Sequence, residues 1–295
     1  MRADRFKHFA AIDWSGAKGA RQKGIAIAVA DAAGGAPVLA EPDRAWSRAD
    51  VLTILRDLPD DTLVGMDLGI SLPFADCGAF FPGWEASPHD AKALWALVDD
   101  ICAEDPNLEV GSFVAHPVLR EYFHHGDHMG DRYRCDGAGH RNGRLRVTEH
   151  AQARMGCRPH SNLKLVGSGQ VGKSSLTGMR VLHRLDGKVP VWPYDPVPER
   201  GSVIVEMYTA IPALAAGRTA ATSKLRDYDA LNSALAHPAV ESPPVRGIGA
   251  LSDDDADALL TAAWLRRAAR DPARWSPNGL TPALARTEGW TFGAV

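Results

Sequence analysis

The sequence predicts an α/β fold: a mixed sheet of three antiparallel strands followed by parallel strands, flanked by helices and interrupted by a large insertion. Three short apolar segments joined by turns predict an antiparallel meander at 8–13, 24–31 and 37–41. A continuously apolar segment at 62–67 is typical of a buried parallel strand, and a similar strand is predicted at 202–208.

The helices are predicted from caps and apolar spacing. Ser47 precedes an amphipathic segment and is a favoured capping residue. Ser87 followed by Pro88 predicts the start of a second helix, which runs to about Glu104. Residues 105–160 are polar, and we expect little regular structure there. Later helices are predicted near 174–185, 209–216, 224–236 and 252–270.

The order of these elements predicts a discontinuous core. Residues 1–75 and 201–295 would form it, and residues 76–200 would be an insertion with a helix, a histidine- and arginine-rich loop and a glycine-rich turn. A chain of 295 residues is long enough for one core with such an insertion.

Composition excludes several classes of protein. Hydrophobic residues make up 45%, which suits a sizeable core, and the net charge of −3 shows no global basic signal, so any site for a polyanion must be local. The four cysteines are too widely spaced to indicate a disulfide framework. We expect a cytoplasmic protein that does not bind membranes, because apolar runs are too short for a signal peptide or a membrane helix. The oligomeric state stays open.

Carboxylates fall where the predicted strands end. Asp13 ends the first strand, Asp67 ends the fourth, and Glu206 lies late in the strand at 202–208. Asp254 and Asp257 are three residues apart near the start of the last long helix, so they share a face. Like charges placed together repel unless a divalent cation with oxygen ligands neutralises them. Each acid also has an ordinary explanation, as a turn residue, a surface ion-pair partner or a favourable charge at a helix start.

These acids and the order of elements resemble the RNase H-like superfamily. Asp13, within Ala11-Ile12-Asp13-Trp14-Ser15-Gly16, is similar to the first-strand Asp of that fold, and 254–259 is similar to the D-x-x-D-A-L helix of RuvC-type resolvases. More closely, the chain resembles an uncharacterised family of predicted nucleases with this fold. Short motifs carry that resemblance, at Val64 to Pro73, 170–172, 191–194 and 205–208.

The resemblance implies a nuclease that uses Mg²⁺ or Mn²⁺ and hydrolyses phosphodiester bonds by a two-metal mechanism, on nucleic acid of undetermined type. The expected catalytic residues are Asp13, Asp67, Glu206 and Asp257, and the expected metal ligands are these four with Asp254. In RuvC-type resolvases the acid on the fourth strand is Glu, so whether Asp67 or Glu206 binds metal stays open. Two alternatives are an actin-like ATPase or phosphotransferase and a catalytically inactive RNase H-like binding module.

Basic residues near these acids are candidates for contacting phosphate. Arginine forks match phosphate oxygens, and lysine binds them as a point charge. We expect substrate binding by Lys18, Arg141, Arg144, Arg146 and Lys173. The alternative for the insertion is a polar loop that pairs with acids of this chain. Histidines and cysteines there could hold zinc, although their spacing is not that of a zinc site.

A phosphate-loop pattern occurs at 167–174, where the sequence satisfies G-x-x-x-x-G-K-S. A nucleotide-binding domain of that type needs several parallel strands after the loop, and the sequence predicts one. We therefore interpret this segment as a turn near the active site.

Overall fold

The computed structural model describes residues 4–134, 143–167 and 169–295. Its strands are β1 (His8–Asp13), β2 (Ala26–Asp31), β3 (Val38–Leu39), β4 (Thr62–Asp67), β5 (His124–His125), β6 (His128–Met129), β7 (Val191–Trp192) and β8 (Val203–Met207). Its helices are α1 (Arg48–Arg56), α2 (Ala91–Ile101), α3 (Gly111–Ala115), α4 (Val147–Arg154), α5 (Gly172–Arg184), α6 (Ala210–Ala215), α7 (Tyr228–Leu235), α8 (Asp253–Ala268), α9 (Pro272–Trp275) and α10 (Pro282–Arg286). Short 3₁₀ turns lie at Pro106–Leu108 and Leu119–Tyr122.

A six-stranded mixed sheet has the order β3-β2-β1-β4-β8-β7. The β1–β2 and β2–β3 pairs are antiparallel, and the β1–β4, β4–β8 and β7–β8 pairs are parallel. The predicted mixed α/β sheet, antiparallel and then parallel, is therefore confirmed. The third predicted strand is shortened to two residues, and β5 and β6 form a separate small hairpin.

Sheet register decides which strand-end residues share a face. Asp13 is opposite Asp67, and Asp67 is opposite Met207. Because successive side chains of a strand point to opposite faces, these three point to one side of the sheet. Glu206 is opposite Met66 and points to the other side.

The two faces carry different cores. Ile12, Val64 and Met66 belong to the core that also includes buried side chains of α1, α2 and α5. On the other face α8 packs against β1 and β2, and its alanine- and leucine-rich surface joins Phe9 and Val205 in a second core. This packing brings the first turns of α8 to the end of β1.

Residues 76–200, predicted as an insertion, are packed onto the core. β7 pairs with β8 at the edge of the sheet, and α2 and α5 pack on each other. α4 lies within the range where little regular structure was expected. None of the described helices combines the length and apolar character needed to span a bilayer.

Two N-cap residues were predicted from the sequence, and the structure confirms one of them. Ser47 caps α1, and the Asp50 side chain completes a capping box. The predicted cap Ser87 is wrong, because α2 begins after Asp90, whose side chain accepts a hydrogen bond from the amide of Ala93. The Ser87 hydroxyl instead accepts a hydrogen bond from the amide of Phe81.

Candidate active site

Four aspartates meet where β1 and β4 end and α8 begins. We call Asp13, Asp67, Asp254 and Asp257 the acid cluster. Asp13 and Asp67 are direct neighbours in the sheet, and Asp254 lies within hydrogen-bonding reach of Asp13. Asp257 follows one turn later on α8 and raises the pKa of both strand-end aspartates. The fold thus gathers side chains from the two ends of the chain.

The protein alone does not balance the charge of the acid cluster. Burial, followed by the negative charges of Asp67 and Asp257, raises the pKa of Asp13 well above its usual value. Burial raises the pKa of Asp67 to about 7, and Asp257 adds to the effect. Burial also raises the pKa values of Asp254 and Asp257, while Lys224 opposes both shifts. Side chains that resist ionisation in this way are characteristic of sites that bind a cation or exchange protons.

The neighbouring acids of α8 have other roles. Asp255 accepts a hydrogen bond at 2.6 Å from Ser252, the N-cap of the helix. Asp253 lies toward Lys224, at 3.7 Å, and Arg226, at 4.0 Å. Of the four aspartates between 253 and 257, two therefore face the strand ends, one bonds the N-cap and one faces two cations.

Two residues of the site were not predicted from the sequence. The hydroxyl of Thr209 donates to Asp67 at 3.1 Å and is also close enough to Asp257 to oppose the rise in its pKa. The ammonium of Lys224 lies 3.2 Å from Asp257, and its side chain is about half exposed. Thr209 comes shortly after the end of β8, and this position could have indicated from the sequence that it lies near the other strand-end residues. Lys224 lies in a loop between α6 and α7, where no sequence pattern indicates it.

The chemistry of the acid cluster fits a hard divalent cation. Its donors are carboxylate oxygens, which Mg²⁺ and Mn²⁺ prefer. A bound cation would favour the ionised forms whose pKa values are now raised. In the part of the chain that the structure describes, no three His, Cys, Asp or Glu side chains already form a ready-made coordination group. The fit therefore rests on ligand chemistry and charge.

Glu206 does not join the acid cluster. It is 2% exposed and lies on the opposite face of the sheet. Its carboxylate accepts hydrogen bonds from the guanidinium of Arg146 at 2.6 and 2.8 Å, from the amide of Ile70 at 2.9 Å and from the hydroxyl of Thr291. The expected catalytic and metal-binding roles of Glu206 are therefore corrected, since internal donors already surround its carboxylate. Of Asp67 and Glu206, only Asp67 points to the same side of the sheet as Asp13.

Two of the expected phosphate-binding arginines are buried structural residues. Arg144 is completely buried, and its guanidinium donates to Asp76 and to the carbonyls of Pro73, Ala79 and Phe80. Arg146 is 1% exposed and donates to Glu149, Glu206 and the carbonyl of Glu288. The third, Arg141, lies outside the described residues. Substrate binding by Arg144 and Arg146 is thus corrected: both hold the insertion to the core.

Two cavities border the acid cluster. One, of about 170 Å³, is lined by Asp67 and by residues that include His160 and Tyr208. The other, of about 340 Å³, is lined by residues that include Lys18, Lys173 and Asp254. Trp14 and Ser174 line both cavities, so the two lie side by side. The two lysines expected to bind substrate are therefore beside the aspartates.

The phosphate-loop pattern lies next to this site. A side chain at Gly16 would collide with the backbone of Lys173 and Ser174, so only glycine lets the turn after β1 contact the start of α5. Before the glycine-rich turn, Lys164 forms an isolated parallel β-bridge with His124. The described segment before the turn is therefore not a strand of the main sheet. This context differs from the strand, loop and helix of nucleotide-binding proteins, and it agrees with a turn near the active site.

Comparisons with known proteins do not indicate a function for this chain. No family model, no curated protein and no solved structure matches the chain. The function therefore has to follow from the strand order, the acid cluster and the cavities beside it.

Proposed function

We propose that the protein is a divalent-metal-dependent nuclease with an RNase H-like core. The observation that carries this proposal is the meeting of Asp13, Asp67, Asp254 and Asp257 at the ends of adjacent parallel strands. The strand order supports the fold proposal, because three antiparallel strands continue into a parallel β1-β4-β8 arrangement, as the resemblance in sequence leads one to expect. The proposed substrate is nucleic acid.

The acid cluster would hold Mg²⁺ or Mn²⁺ through its carboxylates. Such ions polarise a phosphate and lower the pKa of bound water, and a pair of them can stabilise an in-line displacement at phosphorus. The chain's own residues prepare the site. Thr209 orients Asp67 by a hydrogen bond, and the ammonium of Lys224 partly neutralises Asp257. The packing of α8 on β1 keeps Asp254 and Asp257 beside Asp13.

An actin-like phosphotransferase is supported less well. It would need a second glycine-rich turn that is open to phosphate after β4, and Asp67-Leu68-Gly69 is the candidate. A side chain at Gly69 would collide with the side-chain amide of Asn162. This turn has one glycine, and Asn162 fills the space beside it, so the turn offers little support for a phosphate cradle even though Gly69 lines the cavity of about 170 Å³. A catalytically inactive binding module has the same fold, and metal binding separates it from an enzyme.

The test compares two aspartates one turn apart on α8. We expect Asp257→Asn to weaken Mn²⁺ binding at least about tenfold and to abolish Mg²⁺-dependent cleavage, because a ligand is lost. Asp253→Asn is the matched control and should change both far less, since Asp253 faces Lys224 and Arg226 and acts on Asp257 only through its charge. Calorimetry measures Mn²⁺ binding, and a panel of single-stranded, duplex and branched DNA and RNA, with Mg²⁺, Mn²⁺ or EDTA, measures cleavage.

Equal effects of the two substitutions would contradict the proposed metal site. Wild-type protein that binds Mn²⁺ at the cluster but cleaves no member of the panel would favour the inactive binding module instead.

A further inference from the structure

Two lysines from distant parts of the chain line the same cavity beside the acid cluster. Lys18 belongs to the turn after β1, and Lys173 belongs to the first turn of α5. Burial lowers the pKa of Lys173, and the positive charge of Lys18 lowers it further. His125 of β5 is close enough for both lysines to lower its pKa, after the larger effect of burial. The fold thus brings the two lysine side chains together at one cavity.

No acid within the described ranges forms an ion pair with either lysine, although Asp254 lines the same cavity. Among those residues, neither Lys18 nor Lys173 has a carboxylate within 4.0 Å, whereas Lys224 and Lys92 each do. Holding like charges together costs free energy unless an anion offsets it. The lysine pair is thus the counterpart of the acid cluster: each is a group of like charges that the described residues do not fully balance.

The start of α5 adds to the attraction for an anion. α5 has 13 residues, and its N-cap, Val171, provides no side-chain acceptor for the amides of the first turn, of which that of Gly172 donates to the carbonyl of Lys164. The positive end of the helix macrodipole thus lies at the cavity that Lys173 lines. Gly16 permits this arrangement, because its close approach to Ser174 joins the Lys18 turn to the start of the helix.

We propose that this cavity, the lysine pocket, binds one phosphate group of the nucleic acid substrate and places the neighbouring phosphodiester over the acid cluster. Asp254 lines the pocket and belongs to the acid cluster, so the two sites are contiguous. The identity of the phosphate as part of nucleic acid rests on the proposed function. The binding of a phosphate anion by the pocket does not.

The first experiment titrates inorganic phosphate by calorimetry in the presence of EDTA, so that no metal contributes. We expect Lys18→Ala and Lys173→Ala each to weaken phosphate binding about tenfold, the loss typical of one charge-assisted hydrogen bond. Lys23→Ala is the matched control, because Lys23 is exposed in the same turn as Lys18 and does not line the pocket. It should bind phosphate like the wild type.

The second experiment uses a ten-nucleotide single strand, again in EDTA. Each pocket substitution should reduce the slope of log affinity against log salt by about one, because one phosphate contact is lost. Lys173→Gln, which keeps the length of the side chain, serves if Lys173→Ala lowers the melting temperature. Phosphate binding that is absent in the wild type, or equally weak in all three alanine variants, would overturn the lysine pocket.

The outcomes separate the pocket from the nuclease proposal. Asp257→Asn should bind phosphate at least as well as the wild type, because it removes a negative charge near the pocket. Loss of phosphate binding in the lysine variants, together with unchanged Mn²⁺ binding in Asp257→Asn, would support the pocket and reject the proposed function. Binding of free phosphate with no change in the salt slope for the oligonucleotide would overturn the assignment to nucleic acid.

Discussion

The acid cluster and a second group of charges lie at the same end of the sheet, on opposite faces. The second group, the arginine network, consists of Arg146, Glu149, Glu206 and Glu288. Its charges have partners: Arg146 contacts Glu149 and Glu206 at 2.6 Å, and Glu288 accepts hydrogen bonds from the amides at 74, 75 and 147. The acid cluster contains four carboxylates whose nearest cation is the half-exposed Lys224.

This difference distinguishes a structural group of charges from a candidate functional one. A buried charge is tolerated when an opposite charge and hydrogen bonds compensate its desolvation. The arginine network meets most of this condition, because Arg146 and backbone amides bond its carboxylates, although burial still raises the pKa of Glu149. The network connects α4 with β8 and residues 288–291. The acid cluster meets it only when its carboxylates are protonated or when a cation binds. A ligand is therefore expected at the cluster and not at the network.

The largest expected effect comes from breaking the arginine network. Arg146→Met should destabilise the protein by about 3–5 kcal/mol, because it leaves Glu149 and Glu206 buried without their cation. Arg154→Ala, an exposed change at the end of α4, the helix that Arg146 caps, should cost less than about 0.5 kcal/mol. Urea unfolding measures both. A loss of under about 1 kcal/mol for Arg146→Met would show that the network does not have this structural role.

The pH dependence of stability should report the acid cluster. The pKa of Asp67 is raised to about 7 in the folded protein from an ordinary 3.8, so the folded state binds its proton more tightly. The resulting stabilisation is present below pH 3.8 and is lost as the pH rises through about 7. The melting temperature in EDTA should thus fall over that range, and Mg²⁺ should restore it at the upper end.

Asp67→Asn is the check on this pH dependence. Asparagine does not ionise, so the variant should show a flatter profile and a smaller gain from Mg²⁺. Glu206→Gln is the comparison from the arginine network and should keep the wild-type gain from Mg²⁺. A full loss of that gain in Glu206→Gln would mean that the two groups act as one site.

The smallest expected effect concerns Lys224. Its side chain is half exposed, so Lys224→Met should change stability by no more than about 1 kcal/mol. Mn²⁺ should nevertheless bind several-fold more tightly, because the substitution removes a cation that competes for Asp257. Arg226→Met, which removes a more exposed cation 4.0 Å from Asp253, is the control and should leave Mn²⁺ affinity unchanged. Weaker Mn²⁺ binding in Lys224→Met would show that Lys224 assists the metal and does not compete with it.

The sequence by itself determined the features that depend on local pattern. Apolar segments bounded by turns predicted the central strands, and the segment at 62–67 matches β4. The cap at Ser47 and the acidic start of α8 follow from hydrogen bonds within one turn of helix. Asp13 and Asp67 each end a predicted strand, and this shared position is enough to pair them as candidates, because parallel neighbours end at the same edge of a sheet.

Only the tertiary structure decided the features that depend on side-chain direction and distant contacts. Glu206 and Met207 are adjacent in sequence, yet the alternation of β8 sends one to the arginine network and the other toward α8. Arg146 was expected to bind substrate, because its partners in β8 and at residue 288 are far from it in sequence. Lys224 and Thr209 reach the acid cluster only when α6, α7 and α8 are packed in place. Acidic side chains thus belong to a structural network or to a candidate metal site according to the face of the sheet on which the fold places them.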